Sequence, residues 1–197
     1  MHIITKNKYN QITSNKTVFG FWLYIMSDCI LFASLFAVHI VLSNNFENLS
    51  MITKDIFNLT FIFTETLCLL FSSFTCSHSI MHANNLDSKK FQTWIIITLL
   101  SGLCFISMEM YEFYHLRLHG YNLSYNAFFS SFFVLIGTHG VHITIGLIWI
   151  IIMIIHVQWR GLTMVNLIRL QCFSLFWHFL DIIWICVFSE VYLIGVL

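Results

Sequence analysis

Proline is absent from this sequence of 197 residues, and glycine occurs only eight times. Many secondary transporters build their midplane binding sites from membrane helices that proline or glycine interrupts. The absence of proline therefore argues against that class of transporter. Charged residues make up only 9% of the chain, whereas 58% of the residues are hydrophobic. A soluble domain of this composition would expose extensive apolar surface, so the sequence predicts an integral membrane protein.

Signals for metal binding, nucleic-acid binding and export are also missing. The six cysteines include no Cys-x-x-Cys pair, which favours small buried side chains over a zinc or redox site. The net charge is zero, and without a basic patch we expect no nucleic acid as a partner. The first seventeen residues are polar and lack the apolar core of a cleaved signal peptide, so we expect the first apolar segment to be retained.

Five apolar stretches are long enough to cross a bilayer, for which a helix needs about 20 residues. The sequence therefore predicts an all-α fold, an integral membrane bundle of five transmembrane helices. Residues 18–197 would form this membrane domain, preceded by a polar cytoplasmic tail, residues 1–17. The predicted spans lie near residues 19–42, 57–78, 91–114, 128–156 and 170–196.

The distribution of lysine and arginine predicts how the chain is threaded. Seven of these residues lie in the amino-terminal tail and in the second and fourth loops, whereas the opposite side holds only Lys54 and Arg117. Cytoplasmic loops of membrane proteins carry the excess of positive charge. We therefore expect a cytoplasmic amino terminus and a periplasmic carboxyl terminus.

Acidic residues show the opposite distribution, because six of the nine fall inside the predicted spans. An ionised carboxylate near the bilayer centre costs roughly 2.5 to 3.5 kcal/mol on insertion scales. We therefore expect these side chains to face the bundle, water or a partner rather than lipid. They are Asp28, Glu65, Glu109, Glu112, Asp181 and Glu190.

The third span carries a polar stripe, since Glu109, Glu112 and His115 recur every three residues. Residues three apart share one face of a helix. The functional interpretation of this stripe is a proton relay or a contact with lipid head groups. The structural interpretation is a hydrogen-bonded seam between helices. The helical rise also sets Glu109 level with His139 of the fourth span, roughly 25 Å from the cytoplasmic face, and we expect the two to pair.

Two histidines of the fourth span, His139 and His142, lie three residues apart with Gly137 and Gly140 beside them. They are candidate metal or haem ligands, and the glycines allow another helix to approach closely. Haem held between helices needs histidines at matching depth, yet His142 is predicted roughly 9 Å above His178 of the fifth span. Haem is therefore disfavoured, and a metal site would need further ligands.

In the fifth span, His178 lies beside Asp181, and Asp28 of the first span is at a comparable depth. These three side chains are predicted to form a second polar cluster. An ordinary core histidine fits the same pattern equally well.

Four motifs, in this order along the chain, are similar to subunit III of the haem-copper oxidases. The resemblance is closest to the bo-type ubiquinol oxidases, and it runs from about Val18 to the carboxyl terminus. Cytochrome c oxidases usually have seven spans in this subunit, and this chain looks like the shorter quinol-oxidase form. The motifs are Gly20–Asp28 (GFWLYIMSD), Met108–Phe113 (MEMYEF), Gly137–His142 (GTHGVH) and Trp177–Trp184 (WHFLDIIW).

The resemblance implies a non-catalytic subunit of a proton-pumping terminal quinol oxidase in the bacterial inner membrane. Haem and copper would belong to subunit I, the main partner, with subunits II and IV in the same complex. This chain would hold no haem or metal, would bind phospholipid, and would support assembly, stability and proton uptake. Its polar side chains would line intramembrane seams or a lipid cleft: Asp28, Glu65, Glu109, Glu112, His139, His142, His178 and Asp181.

Two other classes of function compete with this interpretation. A stand-alone proton or small-solute transporter would use the intramembrane carboxylates, and a membrane haem protein would use the histidines. The lack of proline breaks and of internal repeats weighs against the first, and the mismatched histidine depths weigh against the second. Glu190 departs from the family pattern, in which we expect a neutral residue near the outer end of the last span.

Overall fold

The computed structural model describes residues 2–43, 59–118 and 126–193, with side chains in 16–43, 60–118 and 126–191. Within these residues the chain is helical and contains no strand. A π-helical segment, Phe188–Leu193, continues the last helix. Helices α1 to α5 are His2–Ser43, Leu59–Asn84, Ser88–Leu118, Ala127–Arg160 and Met164–Val187.

Each of the five helices contains a segment long and apolar enough to cross a membrane. The predicted all-α fold with five transmembrane helices is therefore confirmed. The helix α1 begins at His2, so residues of the predicted polar tail continue the first spanning helix. The ends of two predicted spans, residues 57–58 and 194–196, lie outside the described residues. The spanning segments are Lys16–Ser43, Thr60–Asn84, Ser88–Leu118, Ala127–Arg160 and Met164–Val191.

Two tight turns join helices on the side predicted to be cytoplasmic. Between α2 and α3, Leu86 has a positive φ of 59°. Between α4 and α5, Gly161 has φ +69° and ψ −174°, a region essentially restricted to glycine. Its N–H donates to the Val157 carbonyl at 2.9 Å, and Asn166 Nδ2 donates to the Gly161 carbonyl at 2.9 Å. This turn therefore returns the chain directly across the membrane.

Helix α5 lies against α1, α2 and α4, and α4 also packs on α1 and α3. Half of the residues in the most apolar window of α5 are buried, compared with 17% in α1, which lies at the edge of the bundle. Two buried tryptophans fix α5 against α2. Trp177 Nε1 donates to Ser72 Oγ at 3.1 Å, and Trp184 Nε1 donates to Thr66 Oγ1 at 3.2 Å.

Two glycines make room for the Trp177 ring. A Cβ atom on Gly146 would lie 2.7 Å from Cζ3 of Trp177, and one on Gly102 would lie 2.7 Å from Cδ2 of Leu147 and 3.2 Å from Cη2 of Trp177. Small residues at membrane-helix interfaces allow close packing of this kind. Helices α3, α4 and α5 therefore meet around one indole ring.

All six cysteines lie in the described part of the chain and are free. The sequence predicts small buried side chains at these positions, and Cys76 and Cys172 are buried. Cys29, Cys104 and Cys186 are exposed on the outside of the bundle instead. A thiol behaves as a small hydrophobe, so it is tolerated on an apolar outer surface.

Candidate functional site

Three carboxyl groups lie together inside the bundle, and we call Glu65, Glu109 and Glu112 the central carboxylate cluster. Their relative exposures are 0%, 3% and 8%. The charges of Glu109 and Glu112 both act on Glu65, and the charge of Glu112 acts on Glu109. Glu65 comes from α2 and the other two from α3, so the cluster lies in the interface between these helices.

Several polar atoms around this cluster have no hydrogen-bond partner within the described residues. They include both carboxyl oxygens of Glu65 and Oε1 of Glu109. Buried polar groups in proteins are nearly always hydrogen bonded to protein or to water. Their lack of protein partners therefore marks the cluster as a site for a further polar occupant.

Gly140 of α4 accommodates the carboxyl group of Glu109. A Cβ atom at this position would lie 2.8 Å from Oε1 and 3.0 Å from Oε2 of Glu109. The sequence predicts close approach at this glycine, and the structure shows it. No such neighbour lies within 4 Å of the corresponding position on Gly137. Gly140 thus brings α4 next to the carboxyl group, while Gly137 has open space.

The predicted polar stripe of α3 divides between two environments. Glu109 and Glu112 are buried, whereas His115 is exposed and its ring stacks with Tyr111 at 6.4 Å. Successive steps of three residues rotate around a helix with 3.6 residues per turn. At His115, the third residue of the stripe, the side chain therefore points away from the interior. The stripe consists of two buried glutamates and one surface histidine.

His139 is fully buried among aromatic rings. It stacks with Trp184 at 5.2 Å and meets Phe105 edge-on at 6.0 Å. Both ring nitrogens lack a hydrogen-bond partner within the described residues, as does Oε1 of Glu109. The structure therefore does not form the expected hydrogen bond between His139 and Oε1 of Glu109, although Glu109 lies against Gly140 next in the chain. Matching depth alone did not fix the rotation of the imidazole ring.

Asp28 and His142 form a second polar pair, between α1 and α4. Oδ2 of Asp28 lies 3.7 Å from Nε2 of His142, and Nδ1 of His142 donates to the Thr138 carbonyl at 2.8 Å. Tyr24 also interacts with Asp28 from the preceding turn of α1. The sequence predicts Asp28 beside His178 and Asp181, but the histidine nitrogen observed beside Asp28 is Nε2 of His142. Because Nδ1 donates to the Thr138 carbonyl, Nε2 is the nitrogen that faces the carboxylate.

His178 lies between two serines of α2. Its Nδ1 is hydrogen bonded to Ser73 Oγ at 2.6 Å, and its Nε2 to Ser77 Oγ at 3.1 Å. Oδ2 of Asp181 lies 3.9 Å from Nδ1, beyond hydrogen-bonding distance. The expected proximity of His178 and Asp181 is therefore present. The serines add a connection between α2 and α5 that sequence reasoning missed, although Ser73 and Ser77 lie four residues apart on one helix face.

Another polar contact missed from the sequence joins α1 to α4. His39 Nδ1 is hydrogen bonded to Ser131 Oγ at 3.0 Å, and the His39 ring lies 5.1 Å from that of Phe128. The position of His39 near the end of the first span could have indicated from the sequence that it makes a polar contact with another helix. An adjacent groove of about 320 Å³ is lined by Leu35, Val38, Leu42, Ala127, Ser130, Ser131 and Val134.

Within the part of the chain that the structure describes, no group of three or more His, Cys, Asp or Glu side chains is arranged to hold a metal ion. Asp28, His142, His178 and Asp181 instead form two separate pairs. These polar groups can hold protons and bind water, and they link neighbouring helices.

Comparison with known proteins decides the family. The family model described as cytochrome c oxidase subunit III matches residues 5–196, nearly the whole chain. The chain belongs to the cytochrome c oxidase subunit III family. The five spanning helices make this member of the family a multi-pass membrane protein.

Individual members of the family are also similar over most of their length. The chain is 50% identical over 183 residues to cytochrome bo(3) ubiquinol oxidase subunit 3 of Pseudomonas putida, covering 92% of this chain and 87% of that relative. It is 46% identical to the protein of the same name from Pseudomonas aeruginosa, over 94% and 88% of the two chains. The protein of the same name from Buchnera aphidicola subsp. Acyrthosiphon pisum is 46% identical, over 95% of this chain and 91% of that relative.

Proposed function

We propose that this chain is the non-catalytic subunit III of a proton-pumping terminal quinol oxidase. The single observation that carries this proposal is the family match over residues 5–196, together with relatives that are named as ubiquinol oxidase subunit 3. The role is to support assembly, stability and proton uptake of the catalytic subunit. The alternative of a stand-alone transporter is not supported by these comparisons.

The proposed complex places this chain against subunit I, which carries the haem and copper, with subunits II and IV also present. A subunit III of this family implies association with subunit I. The surface of α1 supports a partner in the membrane, because Tyr24 and Trp22 are 47% and 48% exposed there. Both side chains combine an apolar ring with a polar hydrogen-bonding group.

We place the complex in the bacterial inner membrane, with the amino terminus in the cytoplasm. The bacterial relatives and the five spans support this location in the membrane. The excess of lysine and arginine in the tail and in the second and fourth loops supports the orientation. In this orientation the turn at Gly161 faces the cytoplasm.

The eight polar residues named from the sequence serve as intramembrane seams in this proposal. The Asp28–His142 pair joins α1 to α4, and His178 joins α5 to α2 through two serines. Hydrogen bonds between membrane helices typically contribute about 0.6 kcal/mol each. A phospholipid is proposed for the groove beside Arg117, whose cation and the neighbouring aromatic rings suit a phosphate group and acyl chains. That groove is lined by Met110, Phe113, Tyr114, Arg117 and Phe133.

The test is affinity purification of the tagged chain in mild detergent, followed by absorption spectroscopy and assay of quinol-dependent oxygen consumption. We expect haem-bearing subunits to co-purify, while the isolated chain is colourless. A tagged variant with the helix-packing substitution Gly146→Leu provides the control, because overpacking at Trp177 should reduce recovery of the partners. Purification of the unmodified chain alone, without any haem protein, would contradict the proposal.

A further inference from the structure

Buried polar atoms in and near the central carboxylate cluster have no hydrogen-bond partner among the described protein groups. Both oxygens of Glu65, Oε1 of Glu109 and both ring nitrogens of His139 are buried without a hydrogen-bond partner in the described residues. Leaving a buried polar group unpaired costs about 1–3 kcal/mol. Five such atoms left unpaired would destabilise the bundle severely, so we expect them to have partners beyond the described backbone and side-chain groups.

These groups come from three helices and span about two helical turns of depth in the bundle. Glu65 is six residues from the start of α2, and Glu112 is six residues from the end of α3, which places both about 9 Å from those helix ends at 1.5 Å per residue. Glu109 and His139 lie about one turn and about two turns further in. The glycine at position 140 lets the Glu109 carboxyl lie against α4.

Electrostatics limits how many of these carboxyl groups can be ionised together. The charges of Glu109 and Glu112 act on Glu65 from the adjacent helix. In a medium of low dielectric constant, like charges repel each other more strongly than they do in water. No lysine or arginine occurs in the described residues at this depth of α2, α3 or α4. The cluster therefore favours a state in which its carboxyl groups share protons.

We propose that Glu65, Glu109, Glu112 and His139 form an internal site that binds water and an exchangeable proton. Water satisfies the orphaned oxygens and ring nitrogens, since a buried water typically makes about three hydrogen bonds. The proton is held among the carboxyl groups, with a neighbouring water as its exchange partner. This role extends beyond the proposed support of the catalytic subunit and does not depend on which electron donor the enzyme uses.

The groups that face the site from each helix are few. Helix α2 supplies Glu65, α3 supplies Glu109 and Glu112, and α4 supplies His139, with His142 acting on His139 from one turn away. Helix α5 contributes Trp184, whose Nε1–H already donates to Thr66. Helix α1 contributes the apolar ring of Phe32. The exchangeable proton is therefore held by the three carboxyl groups, and His139 contributes ring nitrogens that bind water.

Infrared difference spectroscopy of the native complex tests the proton. Spectra in H₂O and D₂O are compared for the unmodified complex and for complexes with Glu65→Gln or Glu109→Gln. We expect a protonated-carboxyl band that shifts in D₂O and is lost in both variants. Glu190→Gln is the matched control, because it removes an exposed acid of the same type and should leave the band in place. An unchanged band in both cluster variants would overturn the proposal.

A structure of the unmodified complex at a resolution that shows water tests the occupant without any substitution. We expect at least one ordered water within hydrogen-bonding distance of the Glu65 carboxyl group, and one at His139. This measurement remains decisive even if a variant fails to assemble. A site empty of water, with Glu65 and His139 paired only to protein groups, would overturn the proposal.

Discussion

Gly102 and Gly146 set how closely three helices approach at the buried Trp177 ring. Their missing Cβ atoms leave space that the indole and Leu147 fill within 2.7 to 3.3 Å of where those atoms would be. A side chain there has nowhere to move, because Trp177 is fully buried and hydrogen bonded to Ser72. In packing as tight as this, even a small increase in side-chain volume is destabilising.

Replacement of Gly146 by alanine is expected to destabilise the subunit by about 1–3 kcal/mol, since overpacking forces side chains or backbone to shift. Gly137→Ala in the same helix is the matched control, because nothing lies within 4 Å of its added methyl group. The measurement is the temperature at which each variant subunit unfolds in the purified complex. Equal unfolding temperatures for the two variants would show that the contact at Trp177 is not tight.

At the residue scale, the sequence showed which acids and histidines lie inside the spans but identified only some of their neighbours. Glu109, Glu112 and His139 are buried, as acids and histidines inside spanning helices must be when they avoid lipid. The partner of Asp28 was wrong, because depth arithmetic gives height in the membrane and says nothing about which helix lies opposite. His39 and the two serines at His178 were missed, since each looks ordinary until two helices are packed together.

Helix α1 packs against α4 although little of α1 is buried. Only 17% of the most apolar window of α1 is buried, and its polar links to α4 include Asp28–His142 and His39–Ser131. Phe32 adds apolar contact with the ring of His142 at 5.3 Å. A helix held by few contacts is especially sensitive to loss of one of them.

A double-mutant cycle tests the Asp28–His142 pair. We expect Asp28→Asn and His142→Gln to be non-additive, with a coupling free energy of about 0.5–1.5 kcal/mol, as found for polar pairs between membrane helices. The comparison cycle joins Asp28→Asn with His178→Gln, which the structure separates, and it should be additive. Unfolding of the purified subunit in mixed micelles provides the free energies. Coupling only in the second cycle would favour the cluster expected from the sequence.

The turn between α4 and α5 depends on the backbone conformation of one residue. Gly161→Ala should cost about 1–3 kcal/mol, because φ +69° with ψ −174° is strained for any residue with a Cβ atom. Gly20→Ala is a suitable control, as that glycine lies inside α1 with nothing within 4 Å of the added methyl group. Unfolding temperatures of the two variants give the comparison. A Gly161 variant as stable as the control would mean that the turn has another accessible conformation.

At the scale of the whole molecule, the orientation in the membrane follows from charge rather than from packing. Fusions of a reporter enzyme that is active only in the periplasm should be active at the carboxyl terminus and inactive at the amino terminus. Substitution of Lys6, Lys8 and Lys16 by glutamine should weaken this asymmetry, because it removes three of the seven positive charges on the side proposed to be cytoplasmic. An active amino-terminal fusion of the unmodified chain would reverse the assigned orientation.

The amino-acid sequence by itself determined the five spanning helices, because an apolar run of sufficient length has no alternative in lipid to hydrogen bonding within a helix. It also determined the family, through motifs long enough to be specific. Tertiary structure alone decided that Glu65 joins Glu109 and Glu112, that Asp28 meets His142, and that Gly140 faces a carboxyl group. These depend on the rotation and neighbours of each helix, and apolar residues that face lipid and those that face protein look alike in a sequence.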